Sequence, residues 1–469
     1  MAADNRDGVK THEPGAEARL AATPQDPRKP GRAGKEVLRL GKRTYPVWTP
    51  AMVEAREKLR KAGRKWYLLY DKVHDTRNLE SAWKQVEGNR GAPGVSGETI
   101  EEYGKTVVER LARLGARLQE QTWHPRPIRQ KEIPKADGSG KKRQLGIPEV
   151  EDRIVQAALV AVLEPVFEGK FLGCSHGFRP GHSALNALAV VEKAISTDRP
   201  WLVDADIRNC FGSIPHAPLL NEVSKEISDG KVLRLIDGFV KADIVAELRT
   251  WTPEKGTPQG AVLSPLLANI YMHEFDRQMV EAGYVVVRYA DDFVVLCRNE
   301  EECRAAKTKA ETVLQGMGLE MHPEKSRVVD SRRERFQFLG YEFWPGGREP
   351  RKPSLHKLRD GIRAKTPRSS GRSIRETIID LNRTLRGWYG YFRHSFWNIL
   401  QGVDGFVRRR LRSIMRKFNK RRGTSKGNGA DHSRYPNHLF AKMGLFSVAQ
   451  QRALEAGQTR RLIPFPAKA

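Results

Sequence analysis

The chain has 469 residues, with 83 Lys and Arg against 56 Asp and Glu, a formal net charge of +27. At 39% hydrophobic and 8% aromatic residues it can bury a core, which excludes wholesale disorder, and its length allows about three domains. The charge points to a polyanionic partner, nucleic acid rather than an anionic membrane, because no apolar run approaches the ~18 residues of a span.

Residues 1–50, rich in Pro, Gly, Ala and mixed charge, read as a flexible basic extension. No apolar segment follows Met1, so no signal peptide is expected and the chain is assigned to the cytoplasm. Cys174, Cys210, Cys297 and Cys303 are scattered without a CxxC pair, which fits a reduced compartment and no zinc ribbon. From Pro50 onward Met52, Leu59, Trp66, Leu69 and Val73 recur at helical intervals, and 89–97 is a loop by composition. Residues 51–200 are expected to hold this segment, a hairpin within 126–148 and an apolar helix over 152–167. The hairpin turn is dense in Gly and Asp, and its arms carry Lys135 and Arg143.

Residues 201–345 alternate strand and helix. A strand over 201–206 ends in carboxylates, and Ser264-Pro265 opens a helix as cap and first residue. Two β-branched runs, 284–289 and 293–297, flank Ala290-Asp291-Asp292, a tight hairpin with acids at its tip. Between 347 and 422 there are 22 Lys and Arg against 5 Asp and Glu, a net +17, which marks a local binding surface. This basic helical segment is taken as 346–425, with a linker and tail over 426–469.

An Asp-Asp turn by itself is usually a solvated turn. Here Asp206 stands at the end of another strand, and if the two strands adjoin, three carboxylates converge. Like charges so close are costly unless a cation sits between them. Such a cluster fits a pair of Mg²⁺ ions, which take hard oxygen ligands and leave positions for phosphates. Asp204 shares a strand face with Asp206 by period-two alternation and is a rival ligand.

Tyr289-Ala290-Asp291-Asp292 resembles the catalytic motif of reverse transcriptases, and Asp206-Ile207-Arg208-Asn209-Cys210-Phe211 resembles the family's first carboxylate motif. Gly256-Thr257-Pro258-Gln259-Gly260 resembles the motif lining the incoming nucleotide. Arg143 to Pro148, Gly177 to Gly181, Pro323 to Ser326 and Phe338 to Gly340 follow the same order. In order and spacing the chain is similar to the group II intron-encoded reverse transcriptases, and 381–389 resembles their maturase domain.

The resemblance implies an α+β right-hand polymerase: fingers, a palm with a small antiparallel sheet, and a helical thumb or maturase domain. It implies Asp206, Asp291 and Asp292 as the acidic triad, with the Ile207 carbonyl assisting two Mg²⁺ ions. Lys135 and Arg143 would hold the triphosphate, Phe211 would exclude a 2′-OH, and Gln259 would contact nucleotide or template. Lys325 is a candidate proton donor to pyrophosphate. Arg179, Arg383, Arg386, Arg393, Arg408, Arg409, Arg410 and Arg412 are the candidate RNA contacts, while the aromatics among them are assigned to packing.

The implied partners are structured intron RNA, an RNA template with its DNA primer, and dNTPs, with no membrane. The implied function is RNA-directed DNA synthesis with maturase activity in group II intron splicing and mobility. Two alternatives stand beside it: a splicing maturase with incidental polymerisation, and a domesticated reverse transcriptase in defence or repair. Gly212 stands where family members often have Asp, and Ser96 replaces an Asp common in the N-terminal loop. Nothing after Cys303 contains a cysteine, so the zinc-bearing nuclease domain of many relatives is not expected.

Overall fold

The computed structural model describes residues 19–21, 37–134, 140, 142–247, 249–344, 347–369, 371–418 and 429–457. The chain forms two compact units, one running to Val328 and the other starting at Val329. Both are mixtures of helices with small sheets in which antiparallel pairing dominates.

The first unit is built around the helix Val150–Glu168, buried along most of its length although Asp152, Arg153, Gln156, Glu164 and Glu168 are among its buried residues. It packs against Thr76–Asn89, whose first turn is capped by the Asp75 side chain. The hairpin expected over 126–148 forms as Ile128–Pro134 and Lys142–Ile147, and a second hairpin, Ile244–Ala246 with Arg249–Trp251, extends the same sheet. A separate four-stranded sheet has the order Arg327–Asp330, Trp201–Asp206, Asp292–Cys297, Val285–Tyr289. In Asp292–Cys297, one of its two interior strands, every residue from Phe293 to Cys297 is buried. The helices Ser264–Glu281, Glu300–Gly316 and Ala184–Ser196 pack on this sheet, and Phe275 meets Phe293 edge-on at 4.9 Å.

One expectation for the N-terminus is corrected. Val37–Leu40 and Arg43–Tyr45 form a hairpin with Leu38, Leu40 and Tyr45 buried, and Trp48 is fully buried as well. A short alternation around a Gly turn was hidden by its charged neighbours; of the rest of 1–50, most lies outside the described residues. The helix Pro50–Lys61 begins where expected, capped by Thr49, but it stops before Trp66. Trp66 instead makes a parallel bridge to Ile227, and Tyr67 and Leu68 are exposed.

The second unit opens with a three-stranded antiparallel meander, Phe336–Phe338, Tyr341–Trp344 and Gly347–Pro350. The helices Lys352–Lys365, Ile374–Phe392, Trp397–Phe418, Asn437–Lys442 and Val448–Glu455 follow. Ile374–Phe392 starts at a full capping box, Ser373 with Glu376. Its Leu381 and Leu385 meet Ile362, Leu400, Val407, Leu411, Phe440 and Val448 in a core of their own. Asn382 turns inward, donating to the Gly444 carbonyl at 2.7 Å and accepting from Phe446 N at 2.8 Å. Asp404 accepts from Ser447 Oγ, Val448 N and Ala449 N at 2.6, 3.0 and 3.2 Å, which anchors the last helix.

Candidate active site

Tyr289 lies opposite Asp292, so the acidic hairpin turns on two residues, Ala290 and Asp291, and Asp292 already belongs to the strand. Ala290 has φ +62°, as the first central residue of a primed turn requires. A side chain in that region is strained, by about 1–3 kcal/mol, and persists only when its surroundings hold it. Part of the hold is Gly177, packed so closely that a Cβ there would lie 2.5 Å from Ala290 N.

On its other side Asp292 pairs directly with Asp206. Ile207 N donates to the Asp291 carbonyl at 3.2 Å, so the Asp206–Asp292 position is a non-hydrogen-bonded pair. In such pairs the Cα atoms are about 4.5 Å apart and both side chains lie on one face. Two carboxylates directly opposite are unfavourable unless a cation intervenes. The Lys325 ammonium pairs with Asp206, supplying one positive charge at this spot. Asp291 is mostly buried, and burial, reinforced by the charge of Asp206, holds its carboxyl above the usual range. The rival Asp204 lies opposite Val294 and faces Arg327 at 3.5 Å, while burial pushes it up to about 6. Register therefore favours Asp206 over Asp204 as the acid that meets the hairpin.

Among the described residues no group of three or more His, Cys, Asp or Glu side chains is placed to hold a metal ion. That suits Mg²⁺, which is commonly held by one or two carboxylates with the remaining ligands from water and substrate phosphates. The opposed Asp206 and Asp292 offer such a partial, oxygen-only pair.

The segments carrying Phe211, Gln259 and Arg143 are joined to one another through the backbone. Thr257 N donates to the Phe211 carbonyl at 2.6 Å and Gly256 N to the Ile214 carbonyl at 2.7 Å, stitching the Gln259 loop to the Phe211 turn. A Cβ on Gly256 would lie 2.9 Å from Gly212 backbone, and one on Gly212 would strike the Asn209 side chain at 2.5 Å. This crowding against backbone, with φ +94°, accounts for Gly at position 256. The half-buried Phe211 meets Phe178 edge-on at 6.4 Å, and Phe178 is 6.4 Å from Tyr289. The Gln259 carbonyl accepts from Gly146 N at 2.7 Å, joining the loop to the strand that carries Arg143. Arg143 is exposed, and Lys135 lies outside the described residues.

The candidate RNA-binding arginines divide. Arg383, Arg386, Arg393 and Arg409 are exposed, Arg408 is half-buried, and Arg386 stacks over Phe446 at 5.5 Å. Arg179 corrects an expectation: it is buried, forks onto Glu168, and donates to the Leu172 and Ser175 carbonyls. Arg412 is likewise buried against the Tyr435 carbonyl and Asn437, and Arg410 is half-buried and spent on Thr366. Sequence reasoning also missed Arg288, Asp276, Asn269 and Ser175, which meet beneath the acidic turn. The available signal was a lone arginine at the end of Val285-Val286-Val287.

Residues 133–343 match the sequence family described as reverse transcriptase (RNA-dependent DNA polymerase), and 355–429 match the group II intron, maturase-specific domain. The chain is 36% identical over 202 residues to the group II intron-encoded protein LtrA of Lactococcus lactis subsp. cremoris, covering 43% of this chain and 33% of LtrA. It is 30% identical over 311 residues to protein YkfC of Escherichia coli K12, 56% of this chain and 79% of that one. A putative COX1/OXI3 intron 2 protein of Saccharomyces cerevisiae is 23% identical over 409 residues, 74% of this chain and 47% of that protein. The match thus spans a third of LtrA but most of YkfC. No described helix is long and apolar enough to cross a membrane.

Proposed function

The chain belongs to the group II intron-encoded reverse transcriptases and maturases, and from that premise we propose that it extends a DNA primer on an RNA template and assists the splicing and mobility of a group II intron. The observation that carries the polymerase reading is the register pairing of Asp206 with Asp292 beside the two-residue turn that presents Asp291. In this reading the first unit supplies fingers and palm, and the helices of the second supply a thumb or maturase domain.

Two Mg²⁺ ions would be held by Asp206, Asp291, Asp292 and the Ile207 carbonyl, and when bound they supply Lewis acidity toward the primer 3′-OH and the triphosphate. The remaining work falls to the chain. Arg143, with Lys135, grips the triphosphate and neutralises the pyrophosphate as the 3′-OH displaces it in line from the α-phosphorus. Phe211 lies beneath the sugar and rejects a 2′-OH by its bulk. Gln259, on a loop bonded to both the Phe211 turn and the Arg143 strand, contacts the nucleotide or template. Lys325 delivers a proton to the leaving pyrophosphate.

A second activity rests on a separate observation, the net +17 of 347–422 with Arg383, Arg386, Arg393 and Arg409 exposed. These guanidiniums suit RNA phosphates and splayed bases. The partners are structured intron RNA, primer–template duplex and dNTPs. Primer extension on an RNA template should be abolished by Asp291→Ala, while splicing of the cognate intron by the same protein is retained. Loss of splicing in folded Asp291→Ala protein would refute this division of labour.

A further inference from the structure

We propose that Arg288 is a positioning residue that fixes the backbone of the acidic turn and ties it to the helix leaving the nucleotide loop. The inference rests on the polymerase reading of Asp206, Asp291 and Asp292. Arg288 sits on the strand Val285–Tyr289, three residues before Asp291, and its side chain is fully buried. Its planar fork spans four partners. Nε and Nη2 bond both oxygens of Asp276 at 2.7 and 2.6 Å. Nη1 bonds Asn269 Oδ1 at 3.2 Å and the Ala290 carbonyl at 3.0 Å, and Nη2 bonds Ser175 Oγ at 2.8 Å.

Each partner brings a different segment to the turn. Asn269 and Asp276 are seven residues apart, on one face of the helix Ser264–Glu281, which begins four residues after Gly260 of the nucleotide loop. Ser175 belongs to the loop that covers the hairpin, which Arg288 also holds through its backbone. Arg288 N donates to the Cys174 carbonyl and His176 N to the Arg288 carbonyl, both at 2.8 Å. Asn269 Nδ2 completes the frame by donating to the Gly177 carbonyl at 2.8 Å. The bond from Nη1 to Ala290 therefore clamps the strained residue next to Asp291 from a frame fixed on three sides.

Stability alone gives little reason to keep this ion pair. Buried pairs of this kind can often be replaced by apolar residues of similar volume at no loss of stability. What apolar residues cannot reproduce is the directional bond to the turn carbonyl. A lysine ammonium keeps the charge but, as a single point, cannot reach all four partners.

The test uses the full chain with Arg288→Lys and with the double variant Arg288→Met/Asp276→Leu. Four quantities are read: primer extension under saturating template, primer–template binding, thermal melting, and Ca²⁺-dependent trapping of dNTP on a dideoxy-terminated primer–template, which needs no turnover. We expect Arg288→Lys to melt within a few degrees of wild type and to bind primer–template unchanged. Its kcat should fall about 10–100-fold, and the Ca²⁺ needed for trapping should rise severalfold. The double variant should stay folded and lose more than Arg288→Lys on both counts. A folded Arg288→Lys or double variant with wild-type kcat and wild-type trapping overturns the proposal. A wild type that extends no primer overturns the polymerase reading and this inference with it.

Discussion

Replacing Gly177 by alanine tests how rigidly the acidic turn is held. The added Cβ would lie 2.5 Å from Ala290 N and 3.0 Å from the Tyr289 carbonyl carbon, where ordinary contacts begin near 3.4 Å. Both obstacles are backbone, so the excess of about 0.9 Å must be met by moving the main chain. The Gly177 loop cannot easily retreat, since Asn269 holds its carbonyl and the flanking His176 N is bonded to Arg288. The turn must therefore shift, carrying Asp291 with it. Overpacking of this kind costs roughly 1–3 kcal/mol of stability. A displacement near 1 Å at a reacting centre costs on the order of 100-fold in rate. Single-nucleotide primer extension beside urea melts reads both. Gly402→Ala, in a helix where a new Cβ meets nothing within 4 Å, is the control and should stabilise by about 0.5–1 kcal/mol without changing rate. Gly177→Ala protein that extends primers at the wild-type rate would refute the claim that the turn has no room to move.

Asp152 is almost wholly buried, and burial pushes its carboxyl up to about 7, the backbone N–H of Arg126 opposing only in part. A raised carboxyl stabilises the fold while protonated, fully below about pH 4, and that contribution is lost as pH rises through about 7. Asp152→Asn should therefore gain roughly 1–4 kcal/mol on wild type at pH 8 and far less at pH 4; equal differences in urea melts at both pH values would contradict this. Asp404→Ala should lose about 2 kcal/mol by stripping three donors at the start of Val448–Glu455, checked by thermal melting. Phe211→Ala should raise ribonucleotide relative to deoxynucleotide incorporation by roughly 10–100-fold in kcat/KM, and unchanged discrimination would remove Phe211 from the sugar site. Charge reversal at the exposed Arg383 and Arg386 should weaken intron RNA binding and flatten its salt dependence while leaving DNA synthesis on a short template intact.

The acidic hairpin was legible because its signal is local. A β-branched run on each side of two acids leaves little choice of structure, and only the turn's length changed, with Asp292 moving into the strand. The pairing of Asp206 with Asp292 was expected only on condition that the strands adjoin, since nothing local fixes which strands meet across 85 residues of chain. Long-range burial of charge was not legible. Arg179 and Arg412 look like surface arginines in sequence, yet only after folding does Arg179 find Glu168 and two carbonyls and Arg412 find one carbonyl and Asn437. The palm segment expected over 201–345 takes in the first two strands of the meander and the basic segment over 346–425 takes in the third, whereas all three strands lie in the second unit, which starts at Val329. Its strands of three and four residues are too short to declare a partner by pattern alone.

In the polymerase reading, the two-residue turn couples the acidic site to folding. Side chains alternate faces along a strand, so a one-residue change between Tyr289 and Asp292 that passes into the register, and is not absorbed by a longer loop, would invert Asp292–Cys297 as a block. The acid would leave its opposite number, and Phe293, Val295 and Cys297 would trade places with Val294 and Leu296 in a tightly filled interior. Length changes that pass into the register disturb the core along with the acidic site. Descendants that abandon DNA synthesis while still clasping RNA should thus keep this hairpin at its present length and fall silent through point replacements of the aspartates.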